Sequence, residues 1–100
     1  MRKTAFFFTF TLLTSANVSA DKVTERCLDV GAVAEDIMGA HQSGASLAEL
    51  LAVAKGNKTI EFLVLEAADF PIGVNKQQRD QISKDFSIAM TKACMRTLRK

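Results

Sequence analysis

The chain has 100 residues, and its 13 basic and 11 acidic side chains leave a formal net charge of only +2. A chain of this length fits one small domain with a modest core. So small an excess of positive charge does not favour nucleic acid, and we expect no nucleic-acid partner. The sequence also lacks tryptophan and tyrosine, the aromatic residues that most often stack on sugars and bases.

The first twenty residues have the layout of a secretory signal peptide. Two basic residues follow Met1, a short apolar run occupies residues 5–13, and small residues continue to Ala20. A membrane span needs roughly 20 apolar residues, so this run is too short for an anchor. We therefore predict cleavage after Ala20, location in the periplasm or outside the cell, and no stable membrane anchor after cleavage. Residues 21–100 would form a single helical domain.

Two cysteines, Cys27 and Cys94, lie near opposite ends of the predicted mature chain. Lipidation would require a cysteine directly after the cleavage site, and a charged stretch separates Cys27 from that point. A zinc site needs about four clustered ligands, and a redox pair usually reads C-x-x-C. An even cysteine count in a small exported chain indicates a disulfide instead. We predict the bond Cys27–Cys94.

The mature chain begins with a pattern typical of an amphipathic helix. Apolar or partly apolar residues recur at alternating steps of four and three, and Leu28, Val33 and Met38 widen the stripe. The stripe consists of Val23, Cys27, Val30, Ala34, Ile37 and His41. Residues 42–44 are predicted to break this helix, with Gly44 as its stop signal.

Two short helices are predicted next. Ser46 and Glu49 have the spacing of a capping box, and Gly56 and Asn57 end the segment that follows. Residues 58–69 contain an apolar run that could form a buried strand. The chain offers no partner strand, and the surrounding alanine and glutamate residues favour a helix, which is our prediction.

A last amphipathic helix follows an interruption around Pro71. Proline disfavours a helical conformation at the residue before it, and Gly73 is expected to permit a turn. Asn75 is predicted to cap the last helix, in which Ile82 and Phe86 mark the apolar stripe. Basic residues at its end suit the negative pole of the helix, which explains them without a nucleic-acid ligand.

The predicted fold class is all-α. We expect a small bundle of about four helices, two long and two short, tied by one disulfide. Because Cys27 falls near the start of the first helix and Cys94 near the end of the last, the bond would set these two helices roughly antiparallel.

The sequence offers little for catalysis. His41 is the single histidine, and its place on the apolar stripe favours a structural role. Glu35 and Asp36 are adjacent, so on a helix they point in different directions and do not form an acid–base pair. We therefore predict a protein that is not an enzyme, with no catalytic residue, no metal and no cofactor.

The most suggestive surface is an apolar turn next to the proline. Its possible partner-binding residues are Phe70, Pro71, Ile72 and Val74. Apolar side chains on a turn often belong to a binding site. The alternative, which we favour at this stage, is that Phe70 and Ile72 fold inward and cover the open end of the core.

The order of these motifs resembles that of short, uncharacterised exported proteins of Gram-negative bacteria and their phages or prophages. The residues that carry the resemblance are Cys27, Ile37-Met38, His41-Gln42-Ser43-Gly44, Leu47, Leu51, Glu66-Ala67-Ala68-Asp69-Phe70-Pro71, Phe86 and Cys94. That group usually has Arg-Gln-x-Gly and a tyrosine-proline turn, and this chain departs from it at His41 and Phe70. The resemblance implies no activity. A more distant likeness is to periplasmic acid-stress chaperones.

Two functions agree with these features. The first is a non-enzymatic module that binds or inhibits another envelope or secreted protein. The second is a periplasmic acid or stress chaperone, which would loosen when its carboxylates are protonated. The single histidine and the lack of a long charged tail favour the first.

Overall fold

The computed structural model describes residues 18–98, with side chains described from residue 22 onward. These residues form four α-helices and no strand, which confirms the all-α prediction. The helices are α1 (Val18–Gln42), α2 (Leu47–Ala54), α3 (Lys58–Ala68) and α4 (Lys76–Leu98). Most of the predicted signal peptide, residues 1–17, lies outside the described part of the chain. The predicted cleavage point falls in the first turn of α1.

The disulfide between Cys27 and Cys94 is present, with Cα atoms 5.4 Å apart. It joins the first part of α1 to the last part of α4. The contacts then continue in opposite chain directions. Ser87 Oγ donates to Gly31 O over 2.7 Å, and Gln42 reaches the segment before α4. The two long helices are therefore antiparallel, as predicted.

Gly31 sets the closest approach of α1 and α4. A Cβ atom at this position would overlap the hydroxyl of Thr91. The glycine lets the two backbones come near enough for the Ser87 hydroxyl to bond to Gly31 O. Gly39, on the same helix, has no such neighbour, since the nearest atom to its virtual Cβ is Ser83 Oγ at 4.0 Å.

Local capping residues set the helix ends as the sequence indicated. Ala45 N donates to Ala40 O while Gly44 adopts φ 101°, which is the glycine-terminated end expected for α1. Ser46 and Glu49 form both bonds of the capping box of α2. Asn57 caps α3, which is a helix and not a strand, and Asn75 Oδ1 accepts from Gln78 N at the start of α4.

The core is small and lies where α2, α3 and α4 meet α1. Its buried members are Ala34, Ile37, Met38, Leu50, Leu63, Val64, Ala67 and Phe86. The predicted stripe of α1 was too wide, because Leu28 and Val33 are exposed at 58% and 37%. They belong to a face of α1 that no described helix covers, so only Met38 among the widening residues reaches the core.

Candidate functional site

The apolar turn (residues 70–74) links α3 to α4 and packs beside the last turn of α1. One glutamine of α1 holds it at two points. Gln42 Nε2 donates to Pro71 O over 2.9 Å, and Gln42 Oε1 accepts from Gly73 N over 2.8 Å. Gln42 is only 4% exposed, and both bonds are partly buried. A buried amide that uses its donor and its acceptor fixes the path of the loop.

His41 bonds to the start of the same turn. Its Nε2 lies 2.8 Å from Phe70 O, and because a carbonyl oxygen can only accept, the ring donates. His41 is partly buried, and this bond on the surface ties the last turn of α1 to Phe70.

The first turn of α4 completes the set of bonds around the turn. Arg79 Nη1 donates to Gly73 O over 3.1 Å, and Gln78 Oε1 accepts from Val74 N over 3.0 Å. Gly73 itself packs tightly here, since a Cβ atom would lie 2.9 Å from Arg79 N. Gly73 does not have the positive φ of Gly44 and Gly56, so the lack of space for a Cβ atom is what favours glycine in this turn.

The side chains of the turn are partly anchored and partly exposed. The Phe70 ring meets Phe86 edge to face, with centroids 5.4 Å apart, and Phe86 is a fully buried core residue. Phe70 nevertheless stays 40% exposed, Ile72 50% and Val74 81%. Phe70 thus covers the end of the core with one edge of its ring. Ile72 and Val74 present apolar surface to solvent on a backbone that is held in place.

Two exposed carboxylates near this end of the bundle have shifted pKa values. The Ser46 backbone N–H, followed by its hydroxyl, holds the pKa of Glu49 below the usual value. A hydrogen bond from Lys76, 2.7 Å away, lowers the pKa of Asp80. Both shifts come from helix-end bonding and not from a buried, reactive environment. The lowered pKa values therefore reflect hydrogen bonds at the starts of two helices and do not indicate an acid–base pair.

Within residues 18–98, no three histidine, cysteine, aspartate or glutamate side chains lie close enough to hold a metal ion. Among the described helices, none is both long and apolar enough to cross a membrane. The described side chains at the turn are the exposed apolar ones of residues 70–74 and the hydrogen-bonding ones of His41, Gln42, Gln78 and Arg79.

Sequence reasoning missed Gln42 and Arg79, two of the residues that bond to the backbone of the turn. Gln42 had been assigned to the break after the first helix, but α1 includes it. A signal was present, because Gln42 follows Met38 by four residues and so lies on the same buried side of the helix. Nothing in the local pattern of Arg79 indicated that it would bond back to Gly73.

Comparison of the chain with protein-family models, with curated proteins and with solved structures finds no match. The resemblance to short exported proteins therefore stays a prediction.

Proposed function

We propose that this chain is a small exported, non-enzymatic protein that binds another envelope or secreted protein through the apolar turn. The observation that carries the proposal is the contrast within residues 70–74. The backbone is fixed by side chains of α1 and α4, while Ile72 and Val74 remain largely exposed. A surface of this kind suits a binding or inhibitor module.

The fixed backbone matters because binding has to offset the entropy lost when flexible groups become ordered. A free loop loses that entropy on binding, at a cost of about 1–2 kcal/mol for each ordered residue. In this turn the polar side chains of Gln42, His41 and Arg79 have already restricted the backbone. Because less ordering entropy is lost on binding, the contacts of Ile72 and Val74 contribute more of their free energy to affinity.

The side chains also indicate the chemistry of the partner. Phe70, Pro71, Ile72 and Val74 project no charge, and four backbone groups that a partner strand could pair with are already bonded. Recognition by strand addition is therefore disfavoured. We infer that the partner offers an apolar pocket or shallow cleft that receives Ile72 and Val74.

The disulfide supports the export part of the proposal. Structural disulfides form and persist mainly in oxidising compartments such as the bacterial periplasm, and they are rare in the cytosol. The bond Cys27–Cys94 spans most of the described domain. The N-terminal layout of the sequence agrees with delivery to such a compartment.

A capture experiment with matched variants tests the proposal. Ile72→Ser/Val74→Ser removes the exposed apolar side chains, and Val53→Ser/Ile88→Ser removes two others, 69% and 53% exposed, that lie outside the turn. Proteins bound from an envelope extract are quantified by mass spectrometry. We expect at least one protein whose recovery falls about tenfold or more with the turn variant and is unchanged with the control.

Stability measurements accompany the capture. Both double variants should keep their midpoint of thermal unfolding within a few degrees, because the changed residues are half exposed or more. Equal recovery of every bound protein with the turn variant and the control would contradict the proposal.

The chaperone function has less support from the described side chains. An acid-triggered chaperone needs carboxylates whose protonation removes a large part of the stability. The two carboxylates with lowered pKa values, Glu49 and Asp80, lie on the surface. Suppression of client aggregation at about pH 2–3, combined with greater dye binding, would favour the chaperone function instead.

A further inference from the structure

A second surface lies at the opposite end of the bundle from the apolar turn. There α3 and α4 both pack on α1, but their backbones make few contacts with each other. A groove of about 340 Å³ runs between them. Its apolar walls come from Val30 of α1, Phe62 and Leu63 of α3, and Met90, Ala93 and Leu98 of α4.

The end of this groove is positively charged. Arg26 lines the groove and also an adjoining depression in which Lys22 lies. Among the side chains from residue 22 to residue 98, no acidic one lines either of them. The threonines Thr59 and Thr97, also in the lining, add hydroxyl groups. The described side chains thus combine an apolar trough with cations and hydrogen-bond donors, which complements a molecule with an apolar chain and an anionic head.

We propose that the groove binds a single-chain anionic amphiphile, an acyl chain that ends in a carboxylate or a phosphate. The acyl chain would lie between Phe62 and Met90, and the anionic head would lie beside Arg26 and Lys22. Phe62 and Leu98, now 52% and 42% exposed, would be covered by the chain. Burial of these groups supplies the driving force, and the cations select the sign of the head group.

The size of the groove favours such a ligand over a protein. A volume of about 340 Å³ falls at the lower end of small-molecule sites, which range from about 300 to 1,000 Å³. Stable protein interfaces need about 20–30 residues on each side. The groove has only ten lining residues. A slender acyl chain matches this dimension better than a helix or a second copy.

The experiment is calorimetric titration of the purified protein below the micelle concentration. The probes share a 12-carbon chain: dodecanoate, the corresponding lysophosphatidylglycerol and dodecyltrimethylammonium. We expect both anions to bind and the cation to bind at least about tenfold more weakly. Shorter carboxylates should bind about fourfold more weakly for each methylene removed. Whichever anion binds more tightly identifies carboxylate or phosphate as the preferred head group, and either result supports the proposal.

Three variants locate the ligand. Ala93→Trp fills the groove, and we expect it to weaken dodecanoate binding at least tenfold. Arg26→Glu changes only an exposed side chain and should weaken both anions by about fivefold or more while raising the affinity for the cationic probe. Lys84→Glu is a charge inversion on α4 outside the groove lining, and it should change neither the affinity for the anions nor that for the cationic probe.

Four results would overturn the proposal. They are no binding up to millimolar dodecanoate, equal affinity for the cationic probe, unchanged affinity for the anions in Arg26→Glu, and a dimer that Ala93→Trp dissociates. The dimer, seen by sedimentation equilibrium, would make a second copy of the chain the occupant. Because Arg26→Glu alters the surface alone, its result decides the matter even if Ala93→Trp disturbs the fold.

Discussion

The two ends of this bundle are held together in different ways. At the disulfide end, one covalent bond joins α1 to α4 through Cys27 and Cys94. At the turn end, hydrogen bonds from Gln42, His41 and Arg79 join α1 and α4 to the loop between α3 and α4. Both kinds of link connect the two long helices, but they constrain different parts of the chain.

The difference shows what each kind of link can do. The disulfide fixes the distance between α1 and α4 but does not constrain α3. A groove therefore remains between α3 and α4. Hydrogen bonds are directional, and several of them define the backbone path of a whole segment. The covalent end therefore leaves an open surface, while the hydrogen-bonded end builds a fixed one. We associate each of these surfaces with a different proposed ligand.

Removal of the disulfide should have the largest effect. The bond closes a loop with a sequence separation of 67, for which the chain-entropy estimate is about 4 kcal/mol. A small domain has a total stability on the order of 5 kcal/mol. The double variant Cys27→Ala/Cys94→Ala, or the wild type in reductant, should be largely unfolded by circular dichroism at 37 °C. Reductant should not change the double variant further, and a wild type that keeps its unfolding midpoint in reductant would refute this estimate.

Two glycines of α1 give the next effect and test how tightly the long helices are joined. Gly31→Ala forces a methyl group against Thr91 and should cost about 1–3 kcal/mol. A methyl group in Gly39→Ala meets only Ser83 Oγ, at an ordinary contact distance of 4.0 Å, and the variant should gain up to about 1 kcal/mol from helix propensity. Urea unfolding gives the change in the free energy of unfolding for each variant. Changes of the same sign in the two would show that α1 and α4 do not approach as described.

At the turn end, Gln42→Ala should cost about 2 kcal/mol because it leaves Pro71 O and Gly73 N without partners. Gln81→Ala is the matched control, since Gln81 is exposed and bonds only to Asp85 on its own helix. Its cost should stay within about 0.5 kcal/mol. Similar urea midpoints for the two variants would mean that the buried amide does not hold the turn.

Acid should weaken the turn end selectively, with the smallest effect of the four. The folded-state pKa values of Glu49 and Asp80 are lowered, so their contribution is complete above the ordinary values of 4.5 and 3.8. It is lost as pH falls through the lowered folded-state values. The protection factors of amides at the starts of α2 and α4, each taken against the rate of an unstructured chain at the same pH, should therefore fall at low pH. Those of amides near Cys27 should change little. Glu49→Gln should remove this sensitivity from the start of α2.

Much of the fold could be predicted from the sequence because the decisive signals are local. Ser46 with Glu49, Gly44 and Asn75 each satisfy backbone groups within a few residues. The disulfide followed from the cysteine count. The two features that shape the proposed sites depend on residues distant in the chain. The bonds of Gln42 to the turn span about thirty positions, and the groove arises from a gap between helices that no periodicity encodes.

The most direct test of this account is the rate of amide hydrogen exchange at Gly73 in the wild-type protein at neutral pH. Gln42 fixes the turn while Ile72 and Val74 stay exposed. We therefore expect the Gly73 amide to exchange at least about a hundredfold more slowly than in an unstructured chain, and to lose this protection in Gln42→Ala. Exchange of the wild-type amide at the unstructured rate would contradict the account.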